Sequence, residues 1–301
     1  MKILLTGATG FIGRNVSGRK EHSYRCVVRQ GVQHNFLECF IVDGMHSKTE
    51  WNEGLEGIDT IIHLAGLAHN LQQDDNDFFE INTQGTLHLA SEAVKAGVSR
   101  FVFISSIGVN GASTDGEAID EGSQIAPHNA YCKSKSLAED GLRKISNETG
   151  LELVIIRPAL VYGSGAPGNF GSLMNIIYKL PFLPFGLVQN RRSFISVDNL
   201  SDFIHTCAVH PKAAGETFVI SDNCDVSTKE FINAIAHGLR TRLYQLPIPV
   251  SLMKFSAKLL GKEKLVGQLF DDLEINPSKA LTLLDWQPVE TMAEAMKKIY
   301  K

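Results

Sequence analysis

The chain has 301 residues, 44% of them apolar and 21% charged, with a formal net charge of −4. That length exceeds most single compact domains and predicts one large domain with a smaller one, in an ordinary globular composition. The charge balance argues against general attraction to nucleic acid or to an anionic membrane, and no apolar stretch has the length of a membrane span. Five cysteines (Cys26, Cys39, Cys132, Cys207 and Cys224) form an odd count without metal-ligand spacing. Free thiols, no metal site and a reducing compartment are expected. No basic-then-apolar leader precedes the first apolar strand, so the expected location is cytoplasmic.

In chain order, Met1-Lys2-Ile3-Leu4-Leu5 reads as an apolar strand that feeds Thr6-Gly7-Ala8-Thr9-Gly10-Phe11-Ile12-Gly13 and a helix start. A glycine turn in that setting lets backbone N–H groups approach a pyrophosphate. Gly7 allows the tight turn, Gly10 removes a side chain that would block the phosphates, and Gly13 lets the helix close on its strand. A bound dinucleotide is the reading. Residues 24–28 and 40–42 read as the second and third strands, and 60–65, 101–106 and 153–158 as buried apolar strands. Helical patterns lie between them. Over 85–96 the apolar face is Leu87, Leu89, Ala90, Ala93 and Val94; over 131–147 it is Leu137, Ala138, Leu142 and Ile145. This alternation predicts an α/β fold of Rossmann type, a doubly wound parallel sheet covered on both faces. Ligands of such sheets lie at the carboxyl ends of the strands, where Gly7, Gly66, Ser106 and Pro158 fall.

From residue 163 the pattern changes. Gly- and Pro-rich stretches at 163–168 and 180–186 predict an irregular lobe, while 194–197 and 217–220 read as strands returning to the sheet. Helices over 228–239, 250–260 and 292–300 close the chain. The expected division is a dinucleotide-binding domain at 1–162, rejoined by 194–224, with a smaller mixed C-terminal substrate lobe at 163–193 and 225–301.

Tyr131-Cys132-Lys133-Ser134-Lys135 places a tyrosine and a lysine four residues apart, on one face of a helix. A lysine ammonium beside a phenol favours phenolate, drawing its pKa down from about 10. Such a phenol can move a proton while a nicotinamide moves hydride. Ser106 ends an apolar strand 25 residues upstream, at the sheet edge where the dinucleotide belongs, and can hydrogen-bond the reacting oxygen.

These residues resemble the extended short-chain dehydrogenase/reductase family, in particular its nucleotide-sugar epimerase/dehydratase branch. The resemblance spans nearly the whole chain. It is carried in order by 6–13, His63-Leu64-Ala65-Gly66, Asn82-Thr83-Gln84-Gly85-Thr86, Ser105-Ser106 with Gly111, Tyr131 and Lys135, Arg157-Pro158 with Val161-Tyr162-Gly163, and 192–200. It implies that Ser106, Tyr131 and Lys135 are catalytic, Lys135 also holding the nicotinamide ribose. The cofactor is NAD or NADP, lined by Gly7, Gly10, Phe11, Ile12, Gly13, Arg29, Leu64, Ala65, Gly66 and Ser105. Asp43 contacts the adenine and Pro158 flanks the nicotinamide. Ser106, Asn110, Tyr131, Asn169 and Arg192 face a UDP-sugar, with Asn169 and Arg192 on its diphosphate; a turn residue beside Gly168 is an equal reading of Asn169. Asn82 braces a strand against the site loop, and His63 is a packed residue. A homodimer through the helices at 85–96 and 131–147 is also implied.

The chain departs from the family pattern where NAD-preferring members end the second strand with an acid. Here it ends Val27-Val28-Arg29-Gln30. A guanidinium attracts a 2′-phosphate that a carboxylate repels, so Arg29, aided by Arg14, favours NADP over NAD. NADP in turn favours a 4-keto-sugar reductase over a 4-epimerase. Ile107-Gly108-Val109-Asn110-Gly111 contains no acid, which disfavours a dehydratase, and Asn110 replaces the usual tyrosine in the sugar pocket. The resemblance implies oxidoreduction at C4 of a UDP-hexose or UDP-N-acetylhexosamine, in surface-polysaccharide precursor synthesis. A non-catalytic dinucleotide-sensing regulator or scaffold of the same fold is the rival reading. Near the end, Lys262-Glu263-Lys264 and Asp271-Asp272 are further candidates for substrate contact without a firm alignment.

Overall fold

Alternate residues along each early strand point to opposite faces, and both sets are apolar, so both faces demand cover. The structure, a computed structural model, describes residues 1–19, 22–68, 74–259, 261 and 263–300, the side chains of residues 169 and 263–265 excepted. Strands β1 (Lys2–Thr6), β2 (Ser23–Arg29), β3 (Cys39–Val42), β4 (Thr60–His63), β5 (Arg100–Ile104), β6 (Glu152–Pro158) and β10 (Thr217–Ile220) form one sheet in the order β3-β2-β1-β4-β5-β6-β10. Every neighbouring pair is parallel. Ile3, Leu5, Ile62, Val102 and Val154 face α1 (Phe11–Ser17) and α6 (Val197–Val209). Leu4, Ile61, Phe101, Phe103 and Leu153 face α3 (Thr86–Lys95) and α4 (Ala130–Thr149). The doubly wound parallel sheet is therefore as the alternation requires.

Helix α2 (Asp75–Phe78) runs through a π-helical turn, Phe79–Gly85, directly into α3. Asn129 caps α4, its side-chain oxygen accepting from Cys132 N at 2.8 Å, and Gly150 ends it with φ +79°. Capping and a left-handed glycine fix both ends of the helix that carries Tyr131 and Lys135.

The C-terminal part adds two small sheets. β7 (Leu160–Tyr162) pairs parallel with β9 (Arg192–Ser196), which pairs antiparallel with β11 (Asp225–Val226). β8 (Phe182–Leu183) pairs with β12 (Tyr244–Gln245). Helices α5 (Gly168–Lys179), α7 (Thr228–Gly238) and α11 (Met292–Lys297) surround a third core, centred on Phe194 stacked upon Phe231 at 3.9 Å. α8 (Val250–Leu259) and α9 (Glu263–Phe270) form a neighbouring pair, and α10 (Ser278–Leu284) packs on the large sheet's first face through Ala280 and Leu284.

Of the two segments expected to rejoin the large sheet, 217–220 does so and 194–197 does not. The chain leaves the sheet after Pro158, β7 claims β9 through Leu160↔Phe194 and Val161↔Ile195, and β10 takes the edge of β6. α5 also occupies part of the stretch expected to be irregular, burying Phe170 and Ile177.

Candidate active site

Parallel strands deliver their carboxyl ends to one edge, and the candidate residues meet there. Gly7 has φ +70°, and a Cβ on it would lie 2.8 Å from Ala65 N, so the glycine turn presses against the loop after β4. A Cβ on Gly13 would lie 2.1 Å from Gly7 O; only glycine lets α1 start this close to its strand. At Gly10 a Cβ would meet only Gly7 O, at 3.1 Å, and otherwise project into open space. That space fits the phosphates of a dinucleotide. Phe11 and Ile12 bury their side chains against the cores, which leaves their backbone as the part turned to such a ligand.

His63, fully buried, ties these loops together. Thr86 Oγ1 donates to Asn82 O at 2.8 Å and so accepts from His63 Nε2–H at 2.9 Å. Nδ1 is then bare and accepts from the Thr6 hydroxyl at 2.8 Å, while Thr6 Oγ1 accepts from Ala65 N at 3.1 Å. Burial, with the charge of Lys135 adding to it, pushes the imidazole down to about 3, so it is neutral. Its role as a packed residue stands. Asn82 accepts from Leu67 N, donates to Leu67 O and donates to Ser134 Oγ at 3.0 Å, bracing the loop after β4 against α4.

Ser106 follows β5 in an extended conformation, its Oγ accepting from Gly108 N at 3.1 Å. Tyr131 is half-buried, with Phe78 edge-on at 6.4 Å. Burial pushes the phenol up to about 12, the nearby Ser106 hydroxyl acting against it. Lys135 lies one turn on, buried, its Nζ donating to Ile104 O at 2.8 Å and sitting 4.5 Å from the Phe103 ring centroid. Burial pushes it down to about 8, with Glu139 opposing. The phenol's shift is thus opposite in direction to the acidification expected from Lys135, and burial is its largest cause. A Cβ on Gly66 would come within 3.5 Å of Lys135 Nζ, so the loop after β4, the lysine and the end of β5 converge.

Behind Ser106 lies a buried ion pair that sequence reasoning missed. Arg157 donates to both carboxylate oxygens of Glu139, at 2.9 and 2.5 Å. Ser105 Oγ donates to the same carboxylate at 2.5 Å, and Arg157 Nη1 donates to Asn110 Oδ1 at 3.1 Å. Asn110 donates to the carbonyls of Ser123 and Gln124. The Ser105 hydroxyl thus faces Glu139, and the Asn110 amide is engaged by Arg157 and two backbone carbonyls. The visible sign was Arg157 itself, a cation inside the apolar run 153–158.

The remaining candidates are dispersed around this edge. Pro158 is buried at the end of β6, and Leu64 packs beside the first core. Arg29 ends β2, exposed, and its side chain makes no hydrogen bond or ion pair among the described residues. Asp43 follows β3, 72% exposed, with His46 at 3.3 Å. Arg192 is buried on β9 and donates to Asp271 O at 2.7 Å; burial draws it below the usual arginine range. Asn169 lies in the first turn of α5, and its side chain is outside the described residues, as are Lys262 and the side chains of Glu263 and Lys264. Among the described residues no group of carboxylate, imidazole and thiol side chains could hold a metal, and no helix is long and apolar enough to cross a membrane.

This fold and this edge define an extended short-chain dehydrogenase/reductase. A family model described as the NAD dependent epimerase/dehydratase family matches residues 3–221, and the chain belongs to that family. It is 38% identical to the UDP-glucose 4-epimerase of Vibrio cholerae over 306 residues, covering 98% of this chain and 93% of the relative. It is 26% identical to the N-acetyl-alpha-D-glucosaminyl-diphospho-ditrans,octacis-undecaprenol 4-epimerase of Escherichia coli O157:H7, covering 89% and 83%. The structure of UDP-N-acetylglucosamine 4-epimerase from Bacillus cereus superposes with a TM-score of 0.78 at 19% identity, covering 100% and 95%.

Proposed function

We propose that this protein inverts C4 of a UDP-linked hexose or N-acetylhexosamine, supplying sugar precursors for surface polysaccharide. The observation that carries the reading is the Tyr131–Ser106 hydroxyl pair at the sheet edge, with Lys135 one turn behind and the Gly7–Gly13 cradle opposite. The Vibrio relative, similar over nearly its whole length, supports the choice of epimerisation within the family.

A bound nicotinamide supplies a reversible hydride acceptor. Tyr131 Oη takes the proton of the sugar O4–H as C4 is oxidised, and returns it to the same oxygen when the opposite face of C4 is reduced. Ser106 Oγ holds that oxygen within reach of the phenol. A protonated Lys135 stabilises Tyr131 as the phenolate that receives the O4 proton, the phenol's own proton having passed to solvent beforehand, and its Nζ would hold the cofactor ribose on releasing Ile104 O. Arg192 meets the substrate diphosphate, with Asn169 beside it. Residues 1–158 with the segment from α6 through β10 hold the cofactor, while the small sheets and remaining C-terminal helices hold the sugar nucleotide, in a cytoplasmic homodimer.

Incubation of the purified protein with UDP-glucose or UDP-N-acetylglucosamine, without added cofactor, is expected to yield the C4 epimer. Tyr131→Phe is expected to abolish turnover while retaining dinucleotide. Full activity of that variant would overturn the assignment. Arg29 specifically favours a second reading, an NADPH-dependent 4-keto-sugar reductase. NADPH oxidation only with a 4-keto sugar, and no epimer from UDP-sugars, would select it.

A further inference from the structure

Helix α8 is amphipathic in the wrong sense for a helix packed only on its own protein. At 100° per residue, Val250, Met253 and Ala257 share one face, and these are its only partly covered positions. On the opposite face Leu252, Phe255 and Leu259 are 56%, 61% and 73% exposed. None of the helix's ten residues is buried. Lys254 and Lys258 lie along one side of the exposed stripe; Lys254 pairs with Asp271 at 3.0 Å, and Lys258 has no ion pair among the described residues. The charge pattern extends along the chain. Residues 231–262 contain Arg240, Arg242, Lys254, Lys258 and Lys262 and no Asp or Glu, within a molecule whose net charge is −4. Six residues before α8, Tyr244 stacks on Phe182 at 5.5 Å, both more than half exposed.

We propose that the outward face of α8 docks on an anionic lipid surface, making this a peripheral membrane protein. The helix spans about 15 Å, half the thickness of a bilayer's hydrocarbon core, so it lies in the interface and does not cross it. Leu252, Phe255 and Leu259 enter the acyl boundary while the adjacent lysines reach anionic headgroups, the geometry of interfacial helices. A second copy fits the stripe poorly. Three side chains offer far less than the roughly 800 Å² per partner of a standard interface. A two-fold contact through this face would also bring the lysines of both copies together. The molecule as a whole is weakly acidic, yet α8 itself carries two lysines and no acid, and Lys258 is left without an ion pair among the described residues. The proposal is independent of the chemistry assigned to Tyr131.

Co-sedimentation of the full chain with phosphatidylcholine vesicles, with and without phosphatidylglycerol, tests it. The expected result is binding to the phosphatidylglycerol vesicles that weakens with salt, and little binding to phosphatidylcholine alone. Phe255→Ser with Leu259→Ser is expected to lower the partition coefficient about a hundredfold, with an unchanged melting temperature, since both side chains already face solvent. Lys258→Gln is expected to lower it about fivefold. Failure to bind the anionic vesicles, or equal binding by the double variant, overturns the proposal. So does light scattering in which the double variant converts a larger species into a smaller one, which would assign the stripe to a second copy.

Discussion

Glu139 does two things from one position. It neutralises Arg157 behind Ser106 and raises the proton affinity of Lys135, one turn away. Glu139→Gln leaves a buried guanidinium without its carboxylate, and we expect urea unfolding to show a loss of about 3–5 kcal/mol. If Ser106 is positioned through this pair, kcat also falls while KM changes little; a purely structural role would leave the folded variant's kcat intact. His63 makes a different prediction. Its imidazole is held down at about 3 against an ordinary 6.5, so from pH 6.5 downward the unfolded chain binds a proton that the folded chain refuses. The stabilisation is complete above pH 6.5 and is lost as pH falls towards 3, up to about 5 kcal/mol. Urea midpoints measured between pH 7 and 4 should fall less steeply in His63→Gln than in the parent; parallel slopes would exclude His63 as the cause. Arg157 was legible as an oddity in its apolar strand, whereas its pairing with Glu139 depends on how α4 lies against β6, which no local pattern encodes.

At the level of elements, the β1–α1 junction leaves the least freedom. With 2.1 Å between Gly7 O and a Cβ on Gly13, Gly13→Ala must push α1 off its strand. Calorimetry should show destabilisation of about 2 kcal/mol or more, together with weakened dinucleotide binding. The end of β2 carries the proposed determinant of cofactor choice: Arg29→Glu should shift binding from NADP towards NAD in titration, and an unchanged preference would remove Arg29 from the site. The strands of the large sheet were readable because burial on both faces makes them short continuous apolar runs. The segment 194–197, at the end of β9, has a similar appearance and is buried as well. An apolar run records that a strand is covered, not which sheet covers it. α5 escaped for another reason: Gly168 and Gly171 break the helical pattern, and its start is secured by tertiary packing of Phe170 on Tyr162 and Phe231.

The whole molecule sets a folded sheet beside a lobe whose core is built around an aromatic cluster. Because the proposed cofactor touches the ends of β1, β4, β5 and β6 together, its binding should stabilise the molecule as a unit. At a hundredfold excess over Kd the gain is about 2.7 kcal/mol, readable as a rise in melting temperature with either NAD or NADP. No rise with either would count against the dinucleotide. The convergence of the candidate residues on one sheet edge was legible because they sit in local motifs at strand ends. The lobe was not, since its contacts join segments as distant as Arg192 and Asp271, or Asn199 and Glu290.

The π-helical turn at Phe79–Gly85 has a consequence for how such a chain can drift. In a regular helix, neighbours diverge by about 100° around the axis, yet here Asn82 and Thr83 both grip Ser134, one through its hydroxyl and one through its carbonyl. The wider turn is what brings two successive residues to one target, and it is equivalent to a single inserted residue. Deleting one residue between 79 and 85 would restore ordinary helical winding and gain local backbone order, at the expense of the latch on Ser134, the residue directly before Lys135. Selection for the fold alone favours that deletion; selection for a fixed Lys135 opposes it. The extra residue is therefore a historical marker, and its loss is the expected first scar in any descendant that keeps the sheet and abandons the reaction.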